Sequence, residues 1–434
     1  MMIANLAMLM LAATPPAASP RTLTLDEALA TARARQPLIH QAAAGTQAAE
    51  ARADEVLAPL LPQVSGSANY QRATANFTSR PGSLPSQISC SGSSSSWDTF
   101  NYFNLGLSAS QLVYDFGQSR SRWRSSQASA DAQRAGELTT LDQVLFSVRA
   151  SYYQARAARS AVGVAVETLA NQDKHLQQTD GFVEAGRQAE IALAQAKTGV
   201  ANAKVQLINA QNAYETAKAQ LNQAMGVEGP TDYDVTDEPV PPVDGEEGTT
   251  DMLVAEALNA RPEFASLTAQ VRAQELTLRA VKGAYGPSLF ASTGFTDAGR
   301  QANNLTWNWD AALSLSVPIF QGGQTKAQVR EAEATLASIR SQVDLQRQQV
   351  RLEVEQARLA VRAAKEALVA SGEALANARE QLRLAEGRYE TGVGSIIELS
   401  DSQVALTSAG YQKVQAEYSL AQARAGLIKA LGRD

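Results

Sequence analysis

The sequence predicts a mainly α-helical chain with membrane β-strands, built as two tandem repeats of long coiled-coil helices plus two strands each. Three observations predict it. The chain matches itself at nearly constant offsets, two segments keep a helical pattern for about sixty residues, and short stretches alternate apolar with small polar side chains.

The repeats come first, because they set the frame for every element. Gly117-Gln118 recurs as Gly323-Gln324, Gly186 as Gly392 and Met225-Gly226 as Leu431-Gly432, all 206 positions apart. Upstream, Pro37 and Pro62 recur as Pro262 and Pro287, 225 positions apart, and Tyr70 matches Phe295. The offsets differ by 19, which is one longer Ser/Gly-rich loop in the first repeat, at 79–96. Its composition reads as an exposed loop, and the single cysteine, Cys90, sits in it without evident role. Residues 1–19 carry no charge and an apolar run too short to cross a bilayer, so they read as a secretory signal peptide. The first repeat then spans 20–227 and the second 252–434. Between them, 228–251 is rich in Pro and Gly and holds nine acidic residues and no basic one, the composition of a solvated linker.

Within each repeat the elements run helix, strand, strand, long helix, turn, helix. Residues 26–57 and 251–282 are helical in pattern, each interrupted by a proline that can start a second helix. Residues 118–179 and 324–384 are far longer than ordinary globular helices; in the second, Leu336, Ile339, Val343, Val350, Val354, Val361 and Leu368 form a coiled-coil-like seam. At about 1.5 Å per residue, 118–179 is roughly 93 Å long. The returning helix 189–225 is too short to match it, but 37–57 added to it gives roughly 87 Å. One long helix therefore lies beside two shorter ones stacked end to end, and 262–282 with 395–431 repeats the arrangement.

The strands are 64–71, 101–111, 289–296 and 307–317. Phe103, Leu105 and Leu107 alternate with Asn104, Gly106 and Ser108, and Trp307, Trp309, Leu313 and Leu315 alternate with Asn308, Asp310, Ser314 and Ser316. Such strands suit a barrel with lipid outside and water inside, and the same alternation suits a half-buried soluble sheet. Four strands cannot close a barrel alone, so the barrel reading requires oligomerisation into eight, twelve or sixteen strands. No stretch after residue 20 is apolar enough for a transmembrane helix.

Composition excludes other classes. With 38 basic and 44 acidic side chains, nucleic acid is not the expected partner. One Cys and two distant histidines, His40 and His175, offer no zinc or hydrolytic metal spacing, so no metal or other cofactor is expected. No convergent nucleophile, base and metal set argues for an enzyme.

Ser316-Val-Pro-Ile-Phe-Gln-Gly-Gly323, leading from a strand into a long helix, resembles the signature of TolC-type outer-membrane efflux proteins. Gln111-Leu-Val-Tyr-Asp-Phe-Gly117, Leu25-Asp-Glu-Ala-Leu and Arg388-Tyr-Glu-Thr-Gly392 followed by Ile396-Ile-Glu-Leu are further matches, and the resemblance covers 23–432. It implies a homotrimer whose twelve strands form one β-barrel in outer-membrane lipid, continuous with a periplasmic α-helical tunnel that holds most of the chain. It also implies a role as exit duct of a tripartite efflux or type I secretion system. The partners are then a periplasmic adaptor (membrane fusion) protein and an inner-membrane transporter of RND or ABC type. The turns at 181–188 and 388–395 become the periplasmic tip, where Gly186, Arg187, Gly392, Val393 and Gly394 are expected to dock the adaptor. Glu398 and Asp401, at i and i+3 on one helix face, match acidic positions ringing the tunnel entrance, where carboxylates favour cations. Tyr389 matches a tyrosine that helps hold the entrance closed. Gly394 and Ala192 stand where a charged latch of the family has arginine and aspartate, so closure is expected to rest on packing and Tyr389. An adaptor-like protein or a structural coiled coil is the alternative; neither accounts for the repeats and the strand alternation together.

Overall fold

A computed structural model describes residues 21–74, 97–237 and 240–433. The expected signal peptide, most of the Ser/Gly-rich loop and Cys90 lie outside the described residues. In chain order the elements are β1 (Arg21–Leu23), α1 (Leu25–Arg35), α2 (Pro37–Leu57), β2 (Gln63–Thr74), β3 (Thr99–Tyr114), α3 (Gln118–Glu184), α4 (Glu190–Met225) and β4 (Tyr233–Val235). The second half continues with α5 (Thr250–Ala260), α6 (Pro262–Gly283), β5 (Ser288–Gln301), β6 (Asn304–Ser316), α7 (Gln324–Glu390) and α8 (Ile396–Leu431). Each proline at a helix start, Pro37 and Pro262, divides its helical segment in two, because Pro lacks the N–H an interior position needs. The described residues form two compact units: one within Met1–Ala42, Leu138–Pro262 and Arg347–Asp434, the other within Ala43–Glu137 and Glu263–Gln346.

The second of these units holds a four-stranded antiparallel sheet in the order β2-β3-β5-β6. Its strands run to 12–16 residues, longer than the apolar alternation alone marks, because the ladder continues through polar residues at both ends. Helices α3 and α6 approach closely over small side chains: the Ser125 hydroxyl donates to the Ala273 carbonyl at 2.7 Å, and Ala128 packs on Ala273 and Leu276. The turn from β3 into α3 is capped by Asp115, whose carboxylate accepts from the Ser119 N–H at 2.6 Å. In that turn Phe116 adopts φ 55°, and its repeat counterpart Gly322 adopts φ 60°. The Phe116 ring lies over Gly286, where an added Cβ would fall 2.3 Å from Phe116 Cγ. A phenylalanine is thus held in a conformation that favours glycine, and the partner surface is left bare to receive it.

In the other unit, α4 ends against the α1–α2 junction and α8 against the α5–α6 junction, the end-to-end meeting that helix lengths require. The Gln36 side-chain amide donates to the Gln223 and Ala224 carbonyls at 3.1 and 2.7 Å, so it caps the last turn of α4. Arg261, its repeat counterpart, donates from Nε to the Ala430 carbonyl at 2.9 Å and pairs with Glu353 at 2.6 Å. A core of Val144, Val148, Tyr152, Leu221, Met225, Ala421 and Ala425 fills this unit.

Two expectations need correction. The long helices run to Glu184 and Glu390, past Gly181 and Gly387, because Phe182 and Tyr389 on their last turns pack into a core that outweighs the helical cost of glycine. The acidic linker is not merely solvated. Its β4 pairs parallel with β1, Leu23 against Val235, with both side chains buried. Glu246, also in the linker, is buried and bonded by Arg424 at 3.1 Å and Lys365 at 2.5 Å. Burial alone raises the Glu246 pKa, but hydrogen bonds from Lys365 and Arg424 prevail and hold the carboxyl below its ordinary range. The stabilisation this gives is full above the ordinary carboxylate pKa and is lost as pH falls through the lowered one.

Candidate functional site

The sheet presents one apolar face and one polar face. In register, Tyr70 faces Phe103, Leu107 faces Phe295, Phe295 faces Trp309, Ala291 faces Leu313 and Leu289 faces Leu315. Because side chains alternate with period 2, Phe103, Leu105, Leu107, Trp307, Trp309, Leu313 and Leu315 all lie on this one face. Trp307, Trp309, Leu313 and Leu315 are each more than 60% exposed, so nothing among the described residues covers them. Aromatics concentrate towards the hairpin ends, where Tyr70 packs on Phe103 at 5.0 Å, Phe295 stacks on Trp307 and Trp309 Nε1 donates to the Thr293 hydroxyl. The opposite face carries Ser65, Ser67 and Asn69 against Ser108, Gly106 and Asn104, with a Ser65–Ser108 hydrogen bond of 2.9 Å. Edge strands β2 and β6 have no further partner among the described residues.

The turns that close α3 and α7 are built alike. Gly186 and Gly392 take φ 70° and 77°, and each closes its helix with a pair of bonds. Gly186 N–H donates to Val183 and Arg187 N–H to Phe182; Gly392 N–H donates to Tyr389 and Val393 N–H to Arg388. The Arg187 guanidinium stacks over Phe182 at 4.9 Å. Gly394 is not left-handed; it is needed because a Cβ there would lie 2.9 Å from the Arg388 Cβ and the Tyr389 nitrogen, so a larger side chain does not fit this turn. Beside these turns Val393, Ile397 and Ile191 are exposed apolar residues.

Tyr389 is buried rather than lining a surface. Its hydroxyl donates to Gln188 Oε1 at 3.0 Å and lies 3.4 Å from the Thr179 hydroxyl, which ties α7 to the α3–α4 turn. Its ring packs on His175 at 5.5 Å and Phe182 at 5.8 Å. Burial lowers the His175 pKa, which favours a neutral ring, and its Nδ1 has no partner among the described residues. Glu398 and Asp401 share a face of α8 but have separate surroundings. Ser395 caps the Glu398 N–H at 3.1 Å, and the Glu398 carboxylate lies 3.6 Å from Arg388 Nε. Asp401 is exposed and lines a cleft of about 580 Å³ among α3, α4 and α8, together with His175, Gln172 and Gln403. Gln188, Thr179 and His175 carry no sequence signal of this cluster; they meet Tyr389 only because two helix ends are brought together. Among the described residues no group of three or more His, Cys, Asp or Glu could hold a metal, and no helix is long and apolar enough to cross a membrane.

The family model described as outer membrane efflux protein matches residues 28–227 and 253–433. The pyoverdine export outer membrane protein OpmQ of Pseudomonas aeruginosa is 26% identical over 413 residues, covering 94% of this chain and 85% of that one. Protein CyaE of Bordetella pertussis is 25% identical over 429 residues, covering 96% and 86%. Among solved structures, the Campylobacter jejuni CmeC outer membrane channel superposes with a TM-score of 0.80 at 19% identity, covering 94% of this chain and 85% of that one. The open state of the Neisseria gonorrhoeae MtrE outer membrane channel gives a TM-score of 0.76 at 22% identity, covering 95% and 89%.

Proposed function

This chain belongs to the outer membrane efflux protein family, and on that premise we propose that it forms a trimeric exit duct, served by a periplasmic adaptor and an inner-membrane pump. It is an outer-membrane protein of efflux, and the observation that carries the assembly is the sheet. A four-stranded sheet with an exposed apolar face and two unpaired edges satisfies its backbone in lipid only by joining other copies edge to edge. With three copies β6 of one chain pairs with β2 of the next, giving twelve strands around a polar lumen. The size of the complex extracted from outer membranes in detergent, without boiling, tests this: three chains are expected, and a monomer released without detergent overturns it.

The tip supports a gate and a dock. Gly186, Arg187, Gly392, Val393 and Gly394 form the proposed adaptor surface, with Val393, Ile191 and Ile397 as its apolar contacts. Glu398 and Asp401, three copies of each, ring the entrance and favour cations. Tyr389 holds the closed state through Gln188, taking the place of the missing charged latch. Tyr389→Phe removes that hydrogen bond and the longer contact with the Thr179 hydroxyl, and keeps the ring packing. Its expected result is a higher resting conductance in planar bilayers with assembly unchanged; unchanged conductance removes Tyr389 from the gate. The cargoes in the relatives' names differ, pyoverdine in one and cations in another. The many Gln and Ser residues of the long helices support a hydrated duct whose cargo the pump selects.

A further inference from the structure

Where the helices of the sheet-bearing unit meet its strands, the nearer end of one groove carries only basic charge. Helix α3 runs away from β3 and α6 runs towards β5, so the start of one lies near the end of the other. Arg124 of α3 and Arg279 of α6 line the strand-side end of a common groove of about 460 Å³, and Asp131, Arg272 and Glu275 line it farther from the strands along the same two helices. Arg120 lies four residues before Arg124, on the same helix face. Glu275 is engaged by Arg340 at 2.8 Å, whereas Arg120, Arg124 and Arg279 have no ion-pair partner among the described residues. All three are exposed. Each lies within about 10 Å of the strand-side end of its helix at about 1.5 Å per residue. Tyr114 at the end of β3, and Phe116 and Tyr285 in the connections between strands and helices, are exposed as well and form an aromatic collar.

We propose that this groove binds the phosphate of anionic phospholipids in the periplasmic leaflet around the barrel, with Arg124 and Arg279 as the clamp and Arg120 as an outer cation. Guanidinium is suited to the task, since its planar fork donates to two phosphate oxygens at once. A lipid is the occupant rather than a free anion because the site is continuous with aromatic and apolar surface. The collar sits where aromatic girdles mark the membrane interface, and the exposed sheet face beyond it receives acyl chains. Basic side chains at such a depth attract anionic headgroups by about fivefold each. The inference rests on the outer-membrane barrel reading.

The test uses the detergent-extracted complex, exchanged into vesicles of phosphatidylethanolamine with a minor share of phosphatidylglycerol and repurified, with retained lipid measured by mass spectrometry. Retained phosphatidylglycerol is expected to be enriched over its share in the vesicles. The triple variant R120Q/R124Q/R279Q should lose that enrichment by about tenfold or more, and R120K/R124K/R279K should keep part of it. A salt series on the unaltered protein should also weaken it, which keeps the test open should the glutamine variant fail to assemble. An intact complex retaining both lipids in vesicle proportion overturns the inference and leaves the barrel standing. Displacement of phosphatidylglycerol by millimolar inorganic phosphate overturns it in favour of a free-anion site. A chain that needs no detergent instead overturns the barrel reading itself.

Discussion

Leu313→Arg is expected to abolish stable insertion of this protein into the outer membrane, whereas Ala312→Arg, one position away, is expected to insert and assemble. Leu313 lies on the apolar face opposite Ala291, in line with Trp309 and Leu315, and is 69% exposed within the chain. Arginine on the lipid face of a barrel near mid-depth costs roughly 2–4 kcal/mol, and every copy in a ring bears the same cost. Ala312 pairs with Ser292, which pairs with Ser110, so a charge there joins the polar face. Resistance of each variant to urea extraction from isolated outer membranes, and the size of its unboiled complex, check the pair. Equal tolerance of both substitutions would mean that lipid does not cover this face.

Gly226→Ala is expected to destabilise the helical unit by roughly 3–4 kcal/mol. Gly226 ends α4 with φ 70°, and a Cβ there would lie 2.7 Å from the Gln36 Cα and 2.8 Å from the Arg35 carbonyl oxygen. The clash is with backbone, so no rotamer relieves it. Moving Gln36 away also breaks its two hydrogen bonds to the end of α4. Gly186→Ala is the control, since φ is again 70° but nothing lies within 4 Å of the added Cβ, and about 1 kcal/mol of backbone strain is the whole expected cost. Midpoints of helix melting, followed by circular dichroism in detergent, should separate the two. Similar midpoints would show that the α4–α2 junction yields to the added methyl.

Sequence by itself determined whatever repeats along the chain: the two halves, the paired long helices, the proline-split helices and the single apolar face of the sheet. These follow from local periodicity. A period of 2 assigns each strand residue to a face, and a sustained helical period with a glycine at its end fixes where α4 and α8 stop. Only tertiary structure decided the rest, and in each case the cause is a contact between residues far apart in sequence. Strands β1 and β4, three residues each, are too short to show a period and exist because Leu23 and Val235 bury each other's edges. Glu246 looked like one more acid in a solvated linker until Arg424 and Lys365 met it in the fold. Tyr389 was legible as a residue, but its partner Gln188 was not, because a single hydrogen bond across 201 positions leaves no pattern in sequence. The left-handed Phe116 has the same origin: its strain is held by a ring seated on Gly286, a glycine whose purpose only the folded neighbour reveals.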